Sequence, residues 1–167
     1  MKEISVSELN LNPYQKIAKE WMLITAGDEA NGYNTMTASW GHLGSLWNKP
    51  TAVCYVRPQR YTKEFIDRES YYTLCFFPEA FHKALGYLGT KSGRDEDKVA
   101  KVGLTPVFGE GYTYFAEAEL VLVCRTLYQA PLKEEYFRDA AVMDANYPER
   151  DFHDLYIGAI EKVYVKE

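Results

Sequence analysis

Residues 34–41 read NTMTASWG, a stretch in which small, hydroxylated and apolar side chains alternate. Thr35, Thr37 and Ser39 fall on one face at a period of two, with Met36, Ala38 and Trp40 on the other, so the segment predicts a strand. Its small side chains let a second backbone or a flat heterocycle approach, with strand amides and hydroxyls available to a polar edge. An ordinary amphipathic strand with its polar face in water has the same pattern, and the residues alone fit both readings.

The pattern extends outward in both directions. Upstream, residues 12–19 open at Asn12-Pro13 as a short helix, residues 21–25 (WMLIT) read as a buried strand, and residues 28–32 form a turn cluster. Downstream, residues 41–50 (GHLGSLWNKP) read as a glycine-punctuated loop. Residues 51–56 form a strand closed by Arg57-Pro58, a short helix starts near Thr62, and residues 71–77 form another strand. The clearest helix covers 79–88, where Phe81, Ala84, Leu85 and Leu88 share one face and Gly89 supplies the stop. Asp95 is expected to cap a helix running to Val102 and ended by Gly103. Residues 115–124 read as a long strand, 132–140 as a helix with Tyr136 and Phe137 inward, and 155–165 as a closing strand. Six or seven strands with helices inserted at the turns predict a mainly β fold, a small barrel with helical excursions, in one domain spanning residues 1–167.

Composition narrows the function classes. The net charge of −5 argues against general nucleic-acid binding, which needs a basic face. Aromatic residues make up 15% of the chain, favouring strands and packed interfaces. Cys54, Cys75 and Cys124 each lie in an apolar run and read as buried, reduced thiols, with no metal-ligand spacing. The N-terminal segment lacks a signal-peptide core, and no apolar run reaches the roughly 18 residues of a membrane span. These features predict a cytoplasmic protein that binds neither membrane nor metal.

The residues with chemistry cluster in two loops. In residues 57–62, RPQRYT, two arginines, a glutamine and a hydroxyl stand where a strand gives way to a helix. Helix N–H groups and the arginine forks would suit an anion, while a solvated basic turn capped by Thr62 is the plainer reading. Residues 91–94, KSGR, form a second cationic loop that either completes an anion site or only turns the chain. His82 reads as solvated, and His42 could line a pocket. His153 stands between Asp151 and Asp154, whose carboxylates favour its charged form. No Walker-type, GxSxG or dinucleotide-binding motif is present.

The succession NTMTASWG, WNKP, RPQRYT, SGRDEDK and HDLYIGAIEKV resembles the flavin reductase-like family of FMN-binding split barrels, from about Trp21 to Val163. The resemblance implies a Greek-key split barrel, a homodimer, and FMN near the subunit interface. It implies that Met36, Thr37, Ala38, Ser39 and Trp40 face the isoalloxazine ring. Arg57, Gln59, Arg60, Tyr61 and Thr62 would hold the phosphate, with Lys91, Ser92 and Gly93 near the ribityl-phosphate end. His153, the one catalytic candidate, would lie near a nicotinamide. RPQRYT replaces the shorter Asn-Arg-Ser-like motif of reductases that release free flavin, so the chain resembles flavoredoxin-type members more closely. Three functions follow as alternatives: an NAD(P)H-dependent FMN reductase, an FMN-bearing electron carrier serving a small-molecule or protein redox partner, or an interaction barrel without flavin.

Overall fold

Three strands carry the most continuous apolar runs: β2 (Met22–Asp28), β6 (Tyr71–Phe76) and β9 (Leu120–Pro131). The computed structural model, which describes residues 1–167, shows why they do not simply alternate. They are covered on both faces. Met22, Ile24, Leu74, Phe76 and Leu122 point into a central core, while Leu23, Cys75, Val121 and Val123 pack outward against a second layer. That layer is built from Leu85 and Leu88 of α3 (His82–Thr90), Val99 of α4 (Lys98–Val102) and Phe115 of β8 (Tyr112–Phe115).

The main sheet has eight strands. Its order is β3 (Gly32–Ala38), β2, β6, β9, β10 (Asp154–Val165), β5 (Lys49–Val56) and β4 (Gly41–Leu46), with β1 (Lys2–Ile4) pairing the end of β10. All these pairings are antiparallel. β10 changes register against β9 after Ile157 and again after Ile160, and such bulges bend a long strand. Gly158 sits at the first of them. A Cβ there would lie 2.6 Å from the Tyr72 hydroxyl oxygen and 2.8 Å from Cys124 Cβ. β7 (Pro106–Gly109) and β8 form a separate hairpin. All three cysteines are free and buried. No helix is long and apolar enough to cross a membrane.

Several expectations need correction. Residues 41–50 are a hairpin rather than a loop, and its turn residues Trp47 and Asn48 both adopt the left-handed region, with φ of 53° and 58°. That combination is the twist-matched two-residue turn, made here without glycine. Phe115 ends β8 instead of opening a long strand, and β9 begins at Leu120. The cap of α4 is Asp97, which accepts from the Ala100 N–H at 3.0 Å, so Asp95 is not the cap. Residues 132–140 hold only a 3-10 turn, Glu134–Tyr136, with Tyr136 68% exposed. The true helix there is α5 (Ala140–Asn146), capped by Asp139. His82 is not merely solvated, because its ring centroid lies 4.0 Å from that of Trp21.

Candidate functional site

Four segments converge beside α3: edge strand β3, the turn between β5 and α2 (Thr62–Ile66), the α3–α4 loop, and the excursion between β9 and β10. They enclose two adjoining clefts. One, of about 310 Å³, is lined by Asn34, Met36, Arg57, Gln59, Arg60, Tyr61, Thr62, Thr90, Lys91, Ser92, Gly93 and Lys98. The other, of about 190 Å³, is lined by Met36, Thr37, Ala38, Ser39, Trp40, Tyr55, Arg57, Arg60 and His153. Met36, Arg57 and Arg60 border both. The residues expected to contact FMN, together with His153, all line these walls, although they come from four separate parts of the chain, whereas Arg94, His42 and His82 do not.

β3 ends the sheet and pairs only with β2. Alternate residues of an edge strand present unpaired N–H and C=O groups, so the 190 Å³ cleft has a backbone wall as well as side chains. The Thr37 hydroxyl is already committed, donating to the Leu85 carbonyl at 2.6 Å. Gly89 makes that close packing possible, since a Cβ there would fall 3.2 Å from Thr37 Cβ.

The charges are unevenly compensated. Arg57 is paired with Asp151 and donates to the Asn146 carbonyl at 2.8 Å, with its guanidinium 5.1 Å from the Tyr147 ring centroid. Arg94 is paired with Glu64. Arg60, by contrast, bonds only the Gly89 carbonyl, at 2.7 Å. Lys98 bonds only the carbonyls of Leu88, at 2.8 Å, and Lys91, at 2.9 Å. Burial lowers the pKa of Arg60, with Arg57 adding to the effect. Burial, then Arg60, brings Lys98 down to about 8. Two cations without carboxylate partners therefore share one wall.

Thr62 behaves differently from its expected role as a phosphate ligand. It is fully buried, and its hydroxyl and N–H donate to the Asn34 amide oxygen at 2.8 and 3.2 Å. The N–H groups of Arg60, Lys63 and Glu64 are also taken, by the carbonyls of Arg57, Arg60 and Tyr61. The helix start is thus less open than its sequence suggested. The N–H groups of Gln59, Tyr61, Ser92 and Gly93 have no protein partner, and these four residues face one another across the 310 Å³ cleft. Gly93 is required there: a Cβ would meet the Asn34 amide at 2.1 Å.

His153 is only 8% exposed, and its Nδ1 lies 2.8 Å from the Tyr147 hydroxyl. The flanking acids do favour its charged form, but burial and the nearby arginines outweigh them. Asp151 faces Arg57 and Gln59, and Asp154 faces Lys63 at 2.7 Å. Burial, followed by Arg57, pulls the imidazole down to about 4. The unfolded chain, with a pKa near 6.5, therefore binds more protons than the fold between about pH 6.5 and 4, and stability falls as pH drops through that window. The loss attributable to His153 is on the order of 3 kcal/mol. Thermal melts from pH 7.5 to 4 are expected to show a shallower decline for His153→Gln than for the unmodified protein. Parallel curves would place the acid sensitivity elsewhere.

Asn34, Tyr55, Thr90 and Lys98 were not anticipated as wall residues. Lys98 lay inside the SGRDEDK stretch, but nothing in that stretch distinguishes a buried lysine from a solvated one.

An antiparallel split barrel with a cationic cleft beside an edge strand defines the class. The chain belongs to the flavin reductase-like domain family, whose model matches residues 14–167. Among solved structures, the fold is similar to a flavoredoxin of Desulfovibrio vulgaris (Miyazaki F), with 24% identity, a TM-score of 0.69, and coverage of 100% of this chain and 78% of that one. It is also similar to a flavoredoxin from Methanosarcina acetivorans, with 20% identity, a TM-score of 0.66, and coverage of 95% and 75%. Nitrilotriacetate monooxygenase component B from Bacillus cereus has 17% identity, a TM-score of 0.70, and coverage of 100% and 82%. Comparison with curated proteins finds no match.

Proposed function

We propose that the protein binds FMN across the two clefts and acts as a flavin-dependent oxidoreductase that accepts electrons from NAD(P)H. The observation that carries this reading is the pairing of an anion-compatible cleft with a slot walled by an edge strand. Arg60, Lys98, Lys91 and the free N–H groups of Gln59, Tyr61, Ser92 and Gly93 fit a terminal phosphate. Thr37 and Ala38 of β3, with Ser39 and Trp40 just beyond its end, fit a flat ring with a polar edge. Bound there, the flavin supplies the hydride-accepting and electron-passing chemistry, which accounts for the lack of a paired acid and base among the side chains. His153, neutral at pH 7, would orient a neighbouring group through a hydrogen bond and exchange no proton itself.

A second reading, an FMN-bearing electron carrier, is favoured by one feature. A further cleft of about 510 Å³ shares Ser39, Trp40 and Tyr55 with the proposed ring slot, and its lining includes no lysine, arginine, aspartate or glutamate. A dinucleotide lying there would find no cation for its pyrophosphate. Absorption spectra taken before and after anaerobic addition of NAD(P)H distinguish the readings. The purified protein is expected to be yellow and to bleach on NAD(P)H. A yellow protein that bleaches only with dithionite is the carrier, and a colourless protein that takes up no FMN sinks both.

The proposal includes a homodimer. Tyr14 and Trp40, at the rim of the apolar cleft, and Trp47, at the hairpin tip, are 83%, 44% and 55% exposed. Burying such rings against a second copy would remove a large apolar patch from water. The same preparation is expected to sediment as a dimer; a flavin-loaded monomer excludes this part of the reading.

A further inference from the structure

We propose that Tyr147 is a positioning residue: its hydroxyl donates to His153 Nδ1 and so fixes His153 as an Nε2–H donor, open to an acceptor oxygen in the 190 Å³ cleft. The inference deepens the role given to His153 above. It rests on that reading for the identity of the bound molecule, but not for the direction of the hydrogen bond.

A neutral imidazole carries one hydrogen, and the bond made by one ring nitrogen decides which of the two holds it. The Tyr147 hydroxyl oxygen and His153 Nδ1 lie 2.8 Å apart. A phenol can give or take such a bond, and two observations set the direction. Tyr147 is only 4% exposed, and Nδ1 is the one protein acceptor within reach of its hydroxyl. Buried polar groups are paired, and with the hydrogen on Nδ1 the phenol hydrogen would have no acceptor. The main-chain N–H of His153 also acts on the phenol oxygen as a donor. That oxygen therefore receives one hydrogen and gives its own to Nδ1, which leaves the imidazole hydrogen on Nε2.

The ring is also held in place. Its centroid lies 5.1 Å from that of Trp40, 5.6 Å from that of Tyr147 and 6.4 Å from that of Tyr55. Nε2 has no protein partner, yet it is not sealed off, since the buried side-chain atoms left unpartnered are Thr126 Oγ1 and Asp151 Oδ1. It opens on the 190 Å³ cleft, which His153 lines. Two other hydroxyls in that wall are committed, Thr37 to the Leu85 carbonyl at 2.6 Å and Tyr55 to His42 Nδ1 at 3.3 Å. The Nε2–H is thus an uncommitted, uncharged donor suited to a carbonyl oxygen.

Its surroundings keep it uncharged. Burial is the largest influence; Arg57 and Arg60, from the β5–α2 turn, add to it, while Asp151 and Asp154 oppose it. Trp40 and Tyr55, the other groups against the ring, carry no charge at neutral pH. An O–H···Nδ1 bond exists only while Nδ1 is unprotonated, so Tyr147 works in the same direction as burial.

The test reads the three histidines of the flavin-free protein by long-range proton–nitrogen NMR on labelled imidazoles, with His153→Gln assigning the His153 signals. At neutral pH the unmodified protein is expected to show one tautomer, with hydrogen on Nε2 and none on Nδ1. In Tyr147→Phe the two nitrogens should move towards a mixture, and the titration midpoint of His153 should rise by about one pKa unit, the equivalent of one neutral hydrogen bond. Phe152→Leu loosens the packing of Tyr147, whose ring centroid lies 4.9 Å away, but keeps the hydroxyl. It should retain the single tautomer. Acetophenone, a neutral ketone, is expected to shift the Nε2 signal, and ethylbenzene, which lacks the oxygen, to leave it in place. Hydrogen on Nδ1 in the unmodified protein, or the same response from Tyr147→Phe and Phe152→Leu, overturns the proposal. An Nε2 signal indifferent to acetophenone overturns its acceptor-oxygen part. A single Nε2–H tautomer in a protein that takes up no FMN leaves the hydrogen bond standing and sinks the flavin reading alone.

Discussion

Arg60→Ala is expected to weaken FMN binding by about ten- to hundredfold and to leave riboflavin affinity nearly unchanged. Arg60 has a single protein bond, to the Gly89 carbonyl, and no carboxylate. Its charge is therefore available to a ligand, and its loss also exposes that carbonyl to the anion. Arg57→Ala should cost less affinity, because Asp151 and the Asn146 carbonyl already occupy the guanidinium. Its effect should appear as loosening of the excursion that carries His153. Quenching of flavin fluorescence on titration measures the affinities of both flavins for the three proteins. If FMN and riboflavin bind the unmodified protein equally well, the cleft holds no phosphate.

Gly158→Val is expected to destabilise the fold by about 3 kcal/mol or more, the upper range for overpacking a tight interior. The new Cβ would sit 2.6 Å from the Tyr72 hydroxyl oxygen. That hydroxyl cannot simply swing away, since it donates to the Ala52 carbonyl at 3.0 Å inside the core. Gly158→Ala should therefore also be costly. Combining it with Tyr72→Phe should recover only part of the loss, because Cys124 Cβ remains 2.8 Å from the added carbon. Urea denaturation gives the comparison, and a Gly158→Ala protein within about 0.5 kcal/mol of the parent would show that the bulge yields.

Much of this architecture could be read from residue order, for identifiable reasons. β2, β6 and β9 are buried on both faces, so their apolar runs stand out in any window. α3 shows its period because only one side meets the barrel. The β4–β5 hairpin was hidden because β4 is an edge strand with almost every side chain exposed, which erases alternation, and because Trp47-Asn48 is not a usual turn pair. The charged turn RPQRYT was legible as a cluster, yet the roles within it were not. Thr62, at the start of α2, turns inward only because Asn34 of β3 offers its amide. Lys98 opens a five-residue helix, KVAKV, and would pass for a solvated lysine. Its burial depends on the docking of α3, a tertiary event with no local sign.

The position of β10 bears on how the chain is made. This last strand is hydrogen-bonded to β9, β5 and β1, so it joins segments separated by most of the chain. On a ribosome, β2, β3 and β6 can pair as they emerge, and β9 can join them. β5 cannot reach β9, and β1 has no neighbour at all, until Asp154–Val165 has left the exit tunnel. The barrel must therefore close only once β10 has emerged, and a nascent chain halted before residue 154 should expose the edges of β5 and β9 to other strands. Pairings this distant in sequence are slow to form, and the interval before they form is when such edges are open to aggregation.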